Sequence, residues 1–324
     1  EANMKILAVD DERYVLELFP LLAAQVGYSD VATVLSGPEA LQLLNDPNQK
    51  FDCLVFDINM PEMDGIELCR RVRQMSSYRQ TPIIILTALS DKRYVDQAFQ
   101  AGATDYLTKP FDLTELGVRL RLADEIIGAR REAQATRRSN GEPSLWQTEP
   151  TRPRLEYTLN LSGSPRLTDP TTLRNYLTQL SRSGASVSQI AAVGIDDVEE
   201  LHRRATADEF SYVLQEVAAA IDTVLAPSIA LMSYLGAGRF LFVSNAAARL
   251  DAEETENAIQ YILDERNLEY DDGTPMNCQV SVGSSIQPLS GSPGDIDSAI
   301  ERALARVTAR TAARRSAPAR PNIR

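Results

Sequence analysis

Histidine is nearly absent from this chain: its 324 residues contain one, His202. Clustered histidine metal sites are thereby excluded, and a Ser/His or Cys/His nucleophile would depend on a single residue with no supporting motif. Cysteine is scarce as well. Cys53, Cys69 and Cys278 are odd in number and lack metal-ligand spacing, which argues against a disulfide framework and against a zinc site. No apolar run approaches the roughly 18 residues needed to cross a bilayer. No charged-then-apolar leader is present, and Met4, behind Glu1–Asn3, reads as the natural start. A cytoplasmic chain with no membrane insertion is the expectation. Positive charge is in deficit too, and the net charge of −12 disfavours broad binding to nucleic acid or acidic lipid.

The charge is unevenly spread. Residues 1–128 carry a net −8 and 155–309 a net −12, whereas 129–154 carry +3 and 310–324 carry +5. The basic stretches therefore flank two acidic domains and read as a solvated linker and tail.

In the first part, short apolar runs at Lys5–Val9, Val31–Leu35, Cys53–Phe56, Ile83–Leu86 and Asp105–Leu107 alternate with amphipathic stretches. The latter predict helices at about 12–26, 37–45, 65–75, 91–101 and 112–128. Five strands alternating with five helices make a parallel, doubly wound α/β sheet. Ile83–Leu86 has no polar alternation, as expected of a strand covered on both faces. Leu113, Leu116, Leu120, Ala123 and Ile127 keep a three-four spacing, so the fifth helix is expected to continue past the domain.

Polar residues interrupt these strands only at their carboxyl ends: Asp10 and Asp11, then Asp57, Thr87 and Lys109. In a sheet of order 2-1-3-4-5 the first and third strands are neighbours at the switch point. Three carboxylates would then meet in one shallow pocket, with a lysine and a hydroxyl on its far wall. Clustered carboxylates repel unless a cation joins them, and oxygen ligands suit Mg²⁺. A carboxylate beside such a metal can attack a phosphoryl group, with lysine stabilising the transferring oxygens.

Val9–Glu12, Asp57–Gly65, Thr87-Ala88 and Tyr106–Phe111 together resemble the receiver domain of two-component response regulators, over residues 4–128. The resemblance implies a flavodoxin-like (βα)5 fold with Asp57 as phosphoacceptor, served by a sensor histidine kinase or phosphotransfer protein. Asp11 and Asp57 would ligate Mg²⁺ directly, Asp10 through a bound water and Asn59 through its backbone carbonyl. Lys109 would pair with the phosphoryl group, with a cis bond to Pro110. Thr87 would move to meet that group while Tyr106 turns inward.

Residues 129–166, with several Pro, Gly and Ser, read as helical extension and linker, within which Leu155–Leu161 alternates like a short strand. From 167 to 310 the pattern predicts helices at 171–182, 198–225, 246–266 and 294–310, and strands at 187–195, 229–235, 240–244 and 277–284. This β-α-β-β-α-β core is an α+β, ferredoxin-like palm. Residues 311–324 read as a disordered basic tail. The order and spacing of Leu167–Asp169, Ile190–Asp196, Leu235–Phe240 and Val280–Gly283 resemble the GGDEF family of diguanylate cyclases, in a degenerate form.

Cyclase chemistry needs two metal ions to bring a GTP hydroxyl and an α-phosphate together. By the resemblance, the first-strand acid is replaced by Gly194 and the two acids of the signature turn by Gly238 and Arg239. Asp196 survives. The guanine-reading positions are His202 and Ser211, and Pro227–Ala230 stands where an inhibitory arginine-aspartate motif belongs. Ala207–Phe210 imitates the signature but lies in or beside a helix. The expectation is a response regulator without cyclase activity, acting through an unknown downstream protein and a phosphorylation-dependent homodimer. An active or GTP-sensing cyclase is the alternative.

Overall fold

The computed structural model describes residues 4–89, 91–139, 155, 161, 164–182, 188–226, 228–245, 249–287 and 293–316. The chain divides into two compact units, Glu1–Thr148 and Glu149–Arg324.

Unit one runs β1 (Ile6–Val9), α1 (Arg13–Gln25), β2 (Val31–Val34), α2 (Gly37–Asn45), β3 (Cys53–Phe56) and α3 (Gly65–Gln74). It continues through β4 (Ile83–Thr87), α4 (Lys92–Gln100), β5 (Asp105–Thr108) and α5 (Leu113–Ser139). All strand pairs are parallel, in the order β2-β1-β3-β4-β5, as the strand pattern predicts. Helices cover both faces, which is why β1, β3 and β4 carry uninterrupted apolar residues: Ile6, Leu7, Leu54, Ile83 and Ile85 are wholly buried. Each contributes roughly 1.5–3 kcal/mol of hydrophobic stabilisation. Local signals start the helices. Ser36, Asp64 and Asp91 accept from the first-turn amides of Glu39, Glu67 and Arg93.

The fifth helix does run on, for 27 residues. Leu116, Leu120, Ala123 and Ile127 form its inner stripe, in one core cluster with Leu16, Phe19 and Ala23 of α1. Two turns before Ile127, Arg119 reaches back to β5. Its guanidinium lies 3.0 Å from Asp105 Oδ2, and the two residues are only 5% and 2% exposed. The second Asp105 oxygen accepts from the Tyr106 amide at 2.7 Å.

Unit two runs β6 (Leu167–Thr168), α6 (Pro170–Arg182), β7 (Gln189–Ile195), α7 (Val198–Arg204), α8 (Ala207–Leu225) and β8 (Ile229–Tyr234). Then follow β9 (Arg239–Ser244), α9 (Ala252–Glu265), β10 (Val280–Val282) and α10 (Pro293–Ser316). Its separate sheet has the order β10-β7-β9-β8-β6. β7, β8, β9 and β10 pair antiparallel and β6 adds parallel to β8, so the β-α-β-β-α-β order is present with one short extra strand.

Three boundaries differ from the sequence expectation. The helix predicted at 198–225 is two helices, because Thr206 and Glu209 form a capping box that starts α8 afresh. The helix predicted from 246 starts at Ala252, where Asp251 accepts from the amides of Glu253 and Glu254. The predicted tail is helical as far as Ser316, since Thr311 and Arg314 find a partner in Asp196, after β7, and Arg310 finds one in Glu256 of α9. Residues 317–324 lie outside the described residues. So does most of Leu155–Leu161; Leu155 itself accepts from the Ala237 amide at 2.7 Å and packs on the core.

Breaking a buried ion pair from one side leaves an uncompensated charge, at about 3–5 kcal/mol. Arg119→Met is expected to lower the stability of unit one by about 3 kcal/mol in urea denaturation. The double variant with Asp105→Asn should recover more than half of that loss. Equal loss in the single and double variants would show that Arg119 acts through packing alone.

Candidate functional site

The parallel sheet brings the carboxyl ends of β1, β3, β4 and β5 to one edge. Asp10 follows β1 and Asp57 follows β3, side by side because the Asp57 amide donates to the Val9 carbonyl at 2.9 Å. Lys109 follows β5, and its amide donates to the Thr87 carbonyl at 2.8 Å. Its peptide bond to Pro110 is cis, as the resemblance implies. The ammonium that reaches across the edge lies 2.6 Å from Asp10 Oδ2 and 3.0 Å from Asp57 Oδ1. Glu12 Oε1 stands further off, at 3.9 Å.

Asp10 and Asp57 are 2% and 5% exposed, so this triangle is nearly dry. Burial pushes the Asp57 carboxyl above the ordinary carboxylate range; Lys109 opposes that shift without cancelling it, and the Asp10 charge adds to it. For Lys109 burial acts downward, but hydrogen bonds to Asp10 and Asp57 outweigh it and the net shift is upward. Two buried carboxylates against one ammonium leave the pocket short of positive charge.

The expected group of three carboxylates is gathered only in part. Asp11 is exposed, and among the described residues no three His, Cys, Asp or Glu side chains are placed to hold a metal ion. Lys109 bridges Asp10 and Asp57 and supplies their counter-charge. Asn59 is in place beside Asp57: its backbone amide donates to the Asp57 carboxylate.

Thr87 is fully buried at the end of β4, and Tyr106 is 1% exposed. Tyr106 is therefore already inward. Its phenol donates to the Leu89 carbonyl, while the Leu89 amide donates to Thr87 Oγ1 at 3.3 Å. One loop residue is thus gripped from both sides by the two groups singled out in the sequence. Leu89 itself was missed, because its part is played by backbone atoms that carry no residue-type signal. Gly65 was quoted only as part of a motif. A Cβ there would lie 2.0 Å from the Asp57 carbonyl oxygen, so the loop after β3 can fold back over Asp57 only with glycine.

In unit two, Gly194 on β7 pairs with Arg239 on β9 and Ser281 on β10. A Cβ at Gly194 would meet Val307 Cγ2 of α10 at 3.2 Å. Gly238 has φ +67°, and a Cβ there would meet Val198 Cγ2 at 2.7 Å. Asp196 is 8% exposed and fully engaged: Ser281 Oγ and Thr311 Oγ1 donate to it at 2.8 and 2.9 Å, and Arg314 lies at 3.5 Å. Arg239 is partly buried, with its Nε bonded to nothing among the described residues. His202 stacks edge-on against Phe210, with ring centroids 4.9 Å apart, and Ser211 Oγ accepts from Gln215. Asp208 and Glu209 fall in the first turn of α8, so the signature look-alike is a helix start.

The three cysteines are buried, and burial pushes their thiols up to about 12 (Cys53), 11 (Cys69) and 12 (Cys278). They are core residues. No helix among the described residues is long and apolar enough to cross a membrane.

A doubly wound sheet whose switch point holds a buried aspartate, a second acid and a lysine is the arrangement of the receiver class. The response regulator receiver domain family matches residues 6–121. The chain is 38% identical over 108 residues to the chemotaxis protein CheY1 of Helicobacter pylori, covering 33% of this chain and 86% of that protein. The chain belongs to the response regulator receiver family. It is also 42% identical over 118 residues to the response regulator MprA of Mycobacterium leprae, covering 36% of this chain and 50% of that protein. To the alkaline phosphatase synthesis transcriptional regulatory protein PhoP of Bacillus subtilis it is 38% identical over 119 residues, covering 37% of this chain and 48% of that protein. The chain spans about half the length of these last two relatives, and the family match ends before unit two begins.

Because the Asp57 carboxyl sits above its ordinary range, the folded state binds its proton more tightly than the unfolded state does. The protein therefore loses stability as pH rises from the ordinary carboxylate value through the elevated one. With divalent cations chelated, Asp57→Asn is expected to melt at a higher temperature than the parent at pH 7. The gain should shrink on acidification as the parent's Asp57 takes up its proton. A gain that held constant between pH 7 and pH 3 would assign the effect to packing and not to charge.

Proposed function

We propose that Asp57 accepts a phosphoryl group from a sensor histidine kinase or phosphotransfer protein, and that unit two is a non-catalytic, GGDEF-related module that acts through protein contacts or dimerisation. The observation that carries the first part is the Lys109 ammonium lying 2.6 and 3.0 Å from the buried carboxylates of Asp10 and Asp57. An Asp57 oxygen attacks phosphorus, the bond from phosphorus to the donor's imidazole nitrogen breaks, and that nitrogen leaves with the electron pair. Lys109 is then positioned to turn from Asp57 toward the phosphoryl oxygens. Hydrolysis is the reverse need: water attacks the same phosphorus and the carboxylate leaves.

The donor set fits Mg²⁺. All candidate ligands are oxygens, two of them buried carboxylates that one ammonium does not balance. Asp11, Asp57 and the Asn59 carbonyl would hold the ion, with Asp10 acting through a bound water. When bound it supplies further positive charge to the phosphoryl oxygens. Thr87 and Tyr106 are placed to relay phosphorylation outward, since both already hold Leu89. The relay ends on the face of α4, β5 and α5, where Leu113 and Val118 are 37% and 39% exposed, and a receiver dimer on that face would pass the change along the α5 extension. About 3 kcal/mol of differential stability shifts such a two-state balance roughly a hundredfold.

The module's inactivity is supported by three features of unit two. Gly238 has no room for an acidic side chain, because Val198 stands against it, and a Cβ at Gly194 would press on Val307 at 3.2 Å. The surviving acid, Asp196, is saturated by Ser281, Thr311 and Arg314. Arg239 brings positive charge to the turn where a dication would be needed.

Incubation of the full chain with acetyl phosphate and Mg²⁺ is expected to leave one acid-labile phosphoryl group, absent in Asp57→Asn and abolished by EDTA. A label that survives in Asp57→Asn would remove the assignment. The labelled protein given GTP should form no cyclic dinucleotide; turnover would reverse the second half of the proposal. Gly238→Glu, which restores an acid to the turn, is expected to lower the stability of unit two by about 2 kcal/mol without creating activity.

A further inference from the structure

In unit two, α9 stops at Glu265, and Asn267, with φ +48°, takes the left-handed conformation that sends the chain back. The returning segment is pinned where the Met276 amide donates to the Leu268 carbonyl at 2.7 Å. Between the last turn of α9 and residues 275–279 a cavity of about 210 Å³ remains. Its inner wall is apolar: Leu263, Leu268, Met276 and Cys278 are all buried. Its rim carries two exposed acids, Asp264 and Glu269.

Negative charge at this cavity has no counterpart. α9 presents its carbonyl end, the negative pole of a helix, and has no basic residue in its last turn. Asp264 accepts from the Gln260 carboxamide at 2.8 Å, and neither Asp264 nor Glu269 forms an ion pair among the described residues. Arg266, just past the helix, is turned to Glu216 of α8 at 2.5 Å. Arg314 donates to the Gln279 carboxamide on the cavity wall, but its charge lies against Asp196 and Glu256. The Cys278 thiol, 5% exposed, forms no hydrogen bond among the described residues. Burial raises that thiol's pKa, and the charges of Asp196 and Asp264 add to the shift, so the field of Asp264 is felt at the inner wall.

We propose that this cavity binds an organic cation of the alkylammonium or alkylguanidinium class. Its aliphatic stem would lie on the apolar wall and its charged head at Asp264 and Glu269, the division of labour that long basic side chains favour. Among the described residues no three His, Cys, Asp or Glu side chains are placed to hold a metal ion, so the donor set suits a hydrogen-bonding cation better than a coordinated one. At about 210 Å³ the cavity falls below the roughly 300–1,000 Å³ of ordinary small-molecule sites. That size excludes a nucleotide and suits a single side-chain-sized group. A free amine and a lysine or arginine side chain of a polypeptide share this chemistry. The inference rests neither on Asp57 nor on the ancestry of unit two.

The test is calorimetric titration of the full chain with agmatine at constant ionic strength, with N-acetylarginine amide as a second arm. One saturable site is expected for at least one of them. Tighter binding of agmatine would assign the site to a free amine, and tighter binding of the amide to a side chain. Asp264→Asn/Glu269→Gln, at two exposed positions, should weaken binding by about tenfold. Glu253→Gln/Glu254→Gln neutralises two exposed acids about 15 Å away, at the other end of the same helix, and should leave it within about twofold. No saturable heat from either compound in the millimolar range, or equal weakening by the Glu253/Glu254 pair, would overturn the proposal. So would displacement of agmatine by Mg²⁺ at matched ionic strength, which would make the acids a metal site.

Discussion

One ammonium set between two buried carboxylates organises the receiver. Lys109 is held by β5, Asp10 by β1 and Asp57 by β3, so the triangle closes only when three separate strands are in register. Its charges do not balance. Burial keeps the Asp57 carboxyl above its ordinary range in spite of the lysine, and the pocket stores a standing preference for more positive charge. The charge that would draw a proton or a cation to the pocket is the same charge that costs the folded state stability.

The triangle is also tied to the rest of the domain. The link from Asp57 to the rest of the domain runs through the end of β4, where Thr87 and Tyr106 hold opposite sides of the Leu89 peptide unit. Beyond it, the buried pair of Asp105 and Arg119 fastens β5 to α5. A shift of β5 therefore cannot leave α5 unmoved without stranding a charge in the core. The helix then carries on for twenty residues past Arg119, to Ser139. Local electrostatics at one sheet edge and a rigid helix leaving the domain are joined by an ion pair that has no room to fail quietly.

Much of this was legible in the residues. Near-continuous apolar runs gave away the parallel sheet, because burial on two faces selects apolar side chains, and the polar residues that close several of those runs marked the site. The position of Asp11 was not legible. Adjacent acids look equivalent in a sequence, and only the fold decides that Asp10 meets Lys109 while Asp11 stays exposed. The break between α7 and α8 was written in Thr206 and Glu209, a capping box, but apolar spacing continues across it and masks the stop. The helical end of α10 could not be read locally at all. A run of Ala, Arg and Pro resembles a tail until Asp196 and Glu256, far away in sequence, supply partners for Thr311, Arg310 and Arg314.

The same long-range contacts bear on how unit two should be understood. At Gly238 a left-handed backbone and Val198 together exclude a side chain, and at Gly194 a Cβ would press on Val307 of α10 at 3.2 Å. Meanwhile Arg310 pairs with Glu256, and Arg314 lies within 4 Å of both Glu256 and Asp196. Both carboxylates are spent on fixing α10 against the end of β7 and against α9. Buried acids with such partners cannot be uncovered without stranding them, so the helix is held in place by the charges that it covers.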